Sequence, residues 1–329
     1  MTWTKRCSKH LKDMMLPYAI ITIIFAIVLG NAIPSISKIP KETYSHLVIA
    51  LAIATILPSM ISIRIEKLLE ASRMLKETAL AIMYAYVIGP LLASITSFAL
   101  SDPKLRLGYF ISMLVPISSA SLGYVMMARG NVELATVALV VLSILSFLLV
   151  PFYIELYGAS ESVIVPLDVV VQTIVIVLLV PLIVGQVIRY VVVRVKGSDY
   201  VDTEIQPHLS IITMVSLLAL VFLLVLKESH TIVSDPELVI FVLILQCITL
   251  ASTILISLIL DRALKVRYED HQALTLVSIT KNKSVPAAIV VSSVGGLAML
   301  PPALLPLTQP ILVIAYLRMS NIIRKLFEF

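Results

Sequence analysis

The chain contains few charged residues for its length. Asp, Glu, Lys and Arg make up 14% of its 329 residues, whereas a soluble domain carries about a quarter. Hydrophobic residues make up 59%. This balance excludes an ordinary soluble domain and indicates a polytopic membrane protein in a lipid bilayer. The net charge of +5 does not indicate a nucleic-acid partner, because the basic residues lie in short loops, where they set membrane topology.

Cysteine is also scarce. Cys7 lies in a basic N-terminal tail and Cys247 in an apolar run. Two isolated cysteines support neither a disulfide framework nor a cysteine-based metal site. We therefore expect no metal and no cofactor.

Apolar runs of about 20 residues, long enough to cross a bilayer, recur along the chain. Because backbone amides must be paired in lipid, each run is predicted to be a helix. The first run follows the basic stretch KRCSKHLKD, as a signal peptide does, but its length and the lack of a cleavage site predict a retained span. An all-α membrane protein with ten transmembrane helices is predicted, at 15–33, 46–63, 78–100, 107–128, 132–156, 166–193, 208–227, 237–260, 271–294 and 298–322.

The basic residues divide unequally between the two sides of the membrane. Eighteen lie on the side that holds both termini and five on the other, and Lys281 and Lys283 complete the total of 25. Basic loops stay in the cytoplasm. The count therefore predicts a multi-pass protein of the cell membrane with both termini cytoplasmic.

Two interrupted spans occupy corresponding positions in the two halves of the chain. Residues 15–157 and 166–322 each hold five predicted spans, between a basic tail at 1–14 and a short tail at 323–329. The fourth spans of the halves read LVPISSASLGYVMMARGN and SITKNKSVPAAIVVSSVGG. Paired interruptions of this kind predict two inverted five-helix repeats with a transporter site near the midplane. Ordinary proline kinks are the alternative.

The first interruption is rich in hydroxyl side chains. It contains Pro116, Ser118, Ser119 and Ser121. Ser119 is predicted to cap a half-helix over 120–128, and Gly130 and Asn131 to end it.

The second interruption carries two lysines. It contains Lys281, Asn282, Lys283 and Ser284, directly after Thr280. Ser284 is predicted to cap a half-helix that starts at Val285 and Pro286. Half-helix ends attract ions of either sign, because their N-terminal amides favour anions and their C-terminal carbonyls favour cations.

Lys281 is predicted to lie deep in the membrane. It follows Asp270 by 11 residues, roughly 16 Å of helix, which is near the middle of a ~30 Å core. The predicted span interiors contain no Asp or Glu, and none of the five histidines, His271 included, is expected to pair with an interior acid. The ammonium must then rest against helix carbonyls, bind an anionic substrate, or lose its proton part of the time.

Three segments carry a family resemblance. SASLGYVMMARGNVELATVALVVLSIL resembles the fourth and fifth spans of the bile acid:sodium symporter family, and TKNKSVPAAIVVSSVGGLAMLPPALLPLTQPILVIAYLR resembles the ninth and tenth spans of its bacterial and archaeal members. LPSMISIRIEKL is similar to a segment of the arsenite-efflux permeases of the same superfamily. The resemblance implies a core and a panel domain, each assembled from both repeats, with the broken fourth and ninth helices crossing in the core.

The sequence departs from this family at its sodium ligands. Where the relatives have a glutamine, this chain has Lys281, whereas Asn282 and Ser121 are the same residues as in the relatives. Other oxygen-bearing positions fall on Val277, Leu122, Ala135 and Leu139. Hard cations need oxygen ligands, which these apolar side chains lack. The resemblance therefore implies that the ammonium of Lys281 stands where relatives bind sodium.

The sequence predicts a secondary transporter that moves a small organic anion by alternating access. It would be sodium-independent or proton-coupled, with Lys281 replacing the coupling cation. The candidate site residues are Lys281, Asn282, Lys283, Ser284, Ser118, Ser119, Ser121 and Thr280. Weaker candidates are Asn31, Gln172, Gln309, Tyr84, Tyr86 and Tyr124.

Four alternatives stay open. The chain could be a sodium-coupled organic anion symporter of the same family, or an arsenite permease, although the fourth span lacks the cysteine of those permeases. It could be a channel. As an enzyme, it would need an intramembrane dyad of Lys281 with Ser278 or Ser284.

Overall fold

The computed structural model describes residues 3–33, 39–65, 73–115 and 118–328. In these residues the chain is helical and contains no strand. The helices, in order, are α1 Trp3–Asp13, α2 Met15–Ala32, α3 Lys41–Ser62, α4 Leu75–Met83, α5 Gly89–Ser97, α6 Pro103–Leu114, α7 Ala120–Met127, α8 Val132–Ser160, α9 Leu167–Ile174, α10 Val180–Lys196, α11 Ser198–Tyr200, α12 Gln206–Ser234, α13 Pro236–Ala263, α14 Tyr268–Ile279, α15 Ser284–Ser293, α16 Leu300–Arg318 and α17 Ser320–Leu326.

Eight helical stretches of the described chain are long and apolar enough to cross a membrane. They are Met15–Ala32, Lys41–Ser62, Leu75–Ser97, Val132–Ser160, Leu167–Lys196, Ser198–Ser234, Pro236–Ala263 and Gly296–Arg318. Each coincides with a predicted span. The predicted fourth and ninth spans coincide with the pairs α6–α7 and α14–α15, whose members are each too short to cross alone. The protein is a multi-pass membrane protein.

Three of the long stretches contain a π-helical turn. These turns are Tyr84–Ile88, Val175–Leu179 and Val201–Ile205. A proline follows each turn at the second position: Pro90, Pro181 and Pro207. Proline has no N–H and its ring crowds the carbonyl four residues earlier. Widening the preceding turn relieves that crowding, which gives the three turns a common cause.

The helices group into two compact units. The first unit comprises Met1–Ile63, Ile164–Phe241 and Lys283–Leu307. The second unit comprises Arg64–Val163, Val242–Asn282 and Thr308–Phe329. Each unit therefore draws helices from both halves of the sequence.

Two glycines allow close helix packing in the first unit. A Cβ on Gly30 in α2 would lie 2.7 Å from Cβ of Ser229 and 2.8 Å from the carbonyl oxygen of Leu226 in α12. A Cβ on Gly185 in α10 would lie 2.9 Å from the carbonyl carbon of Met60 in α3. Small residues at such crossings let backbones approach in membranes.

The C-terminal end of α3 is held by two side chains of α10. Gln186 donates to the carbonyls of Met60 at 2.7 Å and Ile63 at 3.0 Å, and Arg189, only 3% exposed, donates to Ile61 at 3.3 Å. These bonds satisfy carbonyls that the end of a helix leaves without an N–H.

Candidate functional site

The breaks of the fourth and ninth spans meet within the second unit. The backbone N–H of Ser118 donates to the carbonyl oxygen of Thr280 at 2.9 Å. Ser118 precedes α7 and Thr280 follows α14, so each group would lack a partner in its own helix. Thr280 is fully buried, and its hydroxyl donates to the Leu276 carbonyl at 2.6 Å. Pro116 of the first break lies outside the described residues.

The N-terminus of α7 is capped differently from the prediction. Ser119 makes no capping hydrogen bond with its side chain. Instead, the hydroxyl of Ser118 accepts from the N–H of Ala120 at 3.3 Å. Ser119 therefore holds the predicted N-cap position of α7, which begins at Ala120, but its side chain does not make the predicted capping bond.

The C-terminus of α7 also differs from the prediction. Arg129, rather than Gly130, takes the left-handed conformation, with φ of 56°. Gly130 is needed for space, because a Cβ there would lie 2.8 Å from Cβ of Gln272. Asn131 caps the next helix, α8, by accepting from the N–H of Leu134 at 3.0 Å.

Lys281 is buried within the protein, with 3% of its surface exposed. A Cβ built on Gly89, in the third predicted span, would lie 3.4 Å from the ammonium nitrogen. In the described parts of the chain, no carboxylate forms an ion pair with Lys281 or Lys283. Sequence reasoning gave no signal for Gly89, because the contact joins distant parts of the chain.

The π-helical turn beside Gly89 changes the backbone hydrogen bonds of this span. The Gly89 N–H donates to the carbonyl five residues earlier, and Pro90 has no N–H. The carbonyls of Ala85 and Tyr86 therefore receive no bond from these two positions. Tyr153 donates its hydroxyl to the Tyr86 carbonyl.

Two predicted site residues belong to the first unit. Lys283 is the N-cap position of α15 and makes no capping hydrogen bond with its side chain. Ser284 is the first residue of α15 and is 1% exposed. The predicted helix start at Val285, with Ser284 as its cap, was therefore one residue late. Asn282, the last residue of the second unit's segment, is half-buried.

The positions that the resemblance aligns with sodium ligands of relatives are apolar and mostly enclosed. Val277 and Ala135 are 0% exposed, Leu139 is 2% exposed and Leu122 is half-buried. The nearby Ser121 is also fully buried, and its hydroxyl has no hydrogen-bond partner among the described residues. Across the described ranges, no three His, Cys, Asp or Glu side chains come together to bind a metal.

The three weaker amide candidates have different surroundings in the structure. Asn31 bridges α2 and α12 by donating to the carbonyls of Ile27 and Ser229 at 2.9 and 3.2 Å. Gln172 is exposed. Gln309 is 1% exposed, and its amide atoms have no partner in the part of the chain described.

The structure contains a buried pair of an acid and a histidine that is not among the predicted site residues. Oδ2 of Asp261 lies 2.7 Å from Nδ1 of His271, and both residues are 0% exposed. The hydroxyl of Tyr84 donates to Oδ1 of Asp261 at 2.6 Å. The prediction that no histidine pairs with an interior acid was therefore wrong. The stretch DRALKVRYEDH could have indicated this pair, because a tight turn within it brings its last residues back to its first. Tyr86, by contrast, donates to the carbonyl of Leu142 at 2.6 Å, and Tyr124 is half-buried.

The fold and the site together define a polytopic membrane protein with a buried basic centre at two helix breaks. The sequence model of the Sodium Bile acid symporter family matches residues 48–235. That match covers more than half of the chain, which belongs to this family. Over 173 residues, 53% of its length, the chain is 28% identical to the uncharacterized transporter slr0944 of Synechocystis sp.. The match covers 45% of that relative. Both comparisons point to membrane transport.

Proposed function

We propose that the protein is a secondary transporter that moves an organic anion by alternating access, without sodium. The buried ammonium of Lys281 carries this proposal, because no described carboxylate pairs with it. A buried charge is costly unless a counter-charge compensates it. An anionic substrate supplies that counter-charge. Lys281 then takes the place of the coupling cation.

The substrate site is proposed at the meeting point of the two breaks in the second unit. Ser118, Ser119, Ser121, Thr280 and Asn282 would surround the anion with polar groups. The unpartnered hydroxyl of Ser121 supports this assignment, because buried polar groups normally have a partner. Lys283 and Ser284 stay candidates from the sequence.

The proposed architecture has ten spans in two inverted five-helix repeats, at 15–157 and 166–322. Two findings support it: the eight long helical stretches, and the broken pairs α6–α7 and α14–α15 in corresponding positions. We further propose that the two units serve as the core and panel domains of the carrier.

Counterflow tests the proposed function. Purified protein in liposomes loaded with unlabelled taurocholate, in potassium medium, should take up labelled taurocholate transiently and saturably. A panel of smaller carboxylates run in parallel would define the size of anion that is accepted. If neither taurocholate nor any carboxylate gave counterflow above empty liposomes, the proposal would be wrong.

The orientation is proposed from the distribution of basic residues, 18 against 5. A short epitope tag at either terminus should be labelled only after the cell membrane is permeabilised. Tags in the loops after the first and third predicted spans, which are predicted to face outward, are the controls and should be labelled on intact cells. Labelling of a C-terminal tag on intact cells would contradict the proposed ten-span arrangement.

A further inference from the structure

The second unit contains a buried polar cluster that the proposed transport site does not use. Asp261 in the last turn of α13 faces His271 in the first turn of α14, with 2.7 Å between Oδ2 and Nδ1. Tyr84 donates to the other oxygen at 2.6 Å. Each oxygen of the carboxylate therefore accepts a hydrogen bond, as a buried carboxylate requires.

The second ring nitrogen of His271 faces a group that can reverse its role. Nε2 lies 3.2 Å from the hydroxyl of Tyr316. A tyrosine hydroxyl donates to a neutral imidazole and accepts from a protonated one. Because Nδ1 keeps its bond to Asp261 in both states, one proton can bind at Nε2 or leave it without moving a heavy atom. Phe327 stacks on the ring, with centroids 4.5 Å apart, and shields it.

The charged groups near the His271–Asp261 pair contact other residues. The net charge of the pair is therefore set by the protonation of His271 alone. On α14, Asp270 is bound by Arg267 at 2.8 Å and by Asn131 at 2.7 Å. On α17, Arg324 lies over the ring of Tyr268. Among the described residues, no lysine or arginine forms an ion pair with Asp261.

The remaining neighbours of His271 are neutral. The hydroxyl of Thr275 lies 3.3 Å from Nδ1 of His271 and 2.8 Å from the hydroxyl of Ser257 on α13. Tyr84 and Tyr316 contribute only hydroxyls. The pair is therefore neutral when His271 is protonated and carries one negative charge when it is not.

We infer that His271 and Asp261 form a proton-binding centre of the carrier, separate from Lys281. The inference rests on the proposed transport function, because it assigns the coupled ion of that transport. One helix connects the two charges: α14 has His271 in its first turn, and Lys281 is the second residue after its end. The two groups are roughly 15 Å apart along the helix. In a medium of low dielectric constant, the positive charge that a proton adds to His271 changes the electrostatic potential at the ammonium of Lys281.

Histidine NMR tests proton binding without any substrate. Protein labelled with ¹⁵N-histidine in detergent is titrated, and His271→Gln identifies the His271 signals. We expect the ring signals of His271 to respond to pH as a proton joins or leaves Nε2, and this response to be altered in Asp261→Asn. Ring signals of His271 that do not respond to pH would overturn the inference.

Transport in liposomes tests coupling. A taurocholate gradient should change the internal pH reported by trapped pyranine; the sulfonate of taurocholate stays ionised, so the substrate itself carries no proton. In His271→Gln, counterflow should persist whereas the pH change is lost. Tyr316→Phe, which removes one hydroxyl, is the milder variant if His271→Gln does not fold, and should reduce the pH change.

The outcomes separate the two proposals. Taurocholate counterflow without any pH change in the wild type would overturn the proton centre and leave the transport proposal standing. A titrating His271 in a protein without counterflow would instead contradict the transport proposal.

Discussion

Replacing Lys281 by glutamine is expected to abolish taurocholate counterflow, or to make it depend on added sodium, while the protein still folds. Glutamine keeps most of the side-chain volume but removes the buried positive charge. A hydrogen bond to a charged group contributes about 1.5–3 kcal/mol, so the apparent affinity should fall roughly 10- to 100-fold. Binding is measured by isothermal titration and transport by counterflow, with folding checked by gel filtration and melting temperature.

Lys283→Gln is the matched control for this experiment. Lys283 lies two residues later, is less buried and belongs to the first unit. Its replacement should weaken binding less than that of Lys281. If Lys281→Gln bound taurocholate as tightly as the wild type in sodium-free buffer, Lys281 would serve only as a structural contact beside Gly89.

Replacing Gly185 by alanine is expected to lower the melting temperature strongly. The new methyl would lie 2.8 to 3.0 Å from Cβ of Met60 and from the backbone of Met60 and Ile61, which cannot rotate away. Overpacking of this kind costs about 1–3 kcal/mol, more than the helix propensity gained by replacing glycine, at most about 1 kcal/mol.

Gly123→Ala provides the control for Gly185→Ala. Gly123 also lies inside a helix, α7, but nothing would lie within 4 Å of its Cβ. We expect this variant to melt at the wild-type temperature or above it. Equal melting temperatures for the two variants would show that α3 and α10 are not packed as closely as described.

The membrane helices were predictable because one physical constraint defines them. A run must be apolar and long enough to cross the bilayer, so the predicted span at 15–33 matches Met15–Ala32 closely. The breaks were predictable for the same reason, because lysine and serine interrupt an apolar run visibly. Their caps were not, because Ser118 and Ser119 have the same chemistry and only the local dihedral angles distinguish them.

The contacts between distant segments could not be predicted from one sequence. Gly89 has no polar group, and its proximity to Lys281 follows from packing alone. Asp261 lies one residue beyond the predicted span 237–260 and His271 begins the predicted span 271–294, positions where ionisable groups usually meet water. The structure buries both, because the turn between α13 and α14 brings them together beside Tyr316 of α16 and Phe327.

We propose above all that the ammonium of Lys281 replaces a sodium ion. Taurocholate counterflow in sodium chloride, compared with potassium chloride at equal ionic strength, tests it most directly. Equal initial rates in the two salts are expected for the wild type, because Val277, Leu122, Ala135 and Leu139 offer no oxygen ligands in their side chains. A saturable stimulation of the wild-type rate by sodium alone would show that Lys281 does not replace the ion.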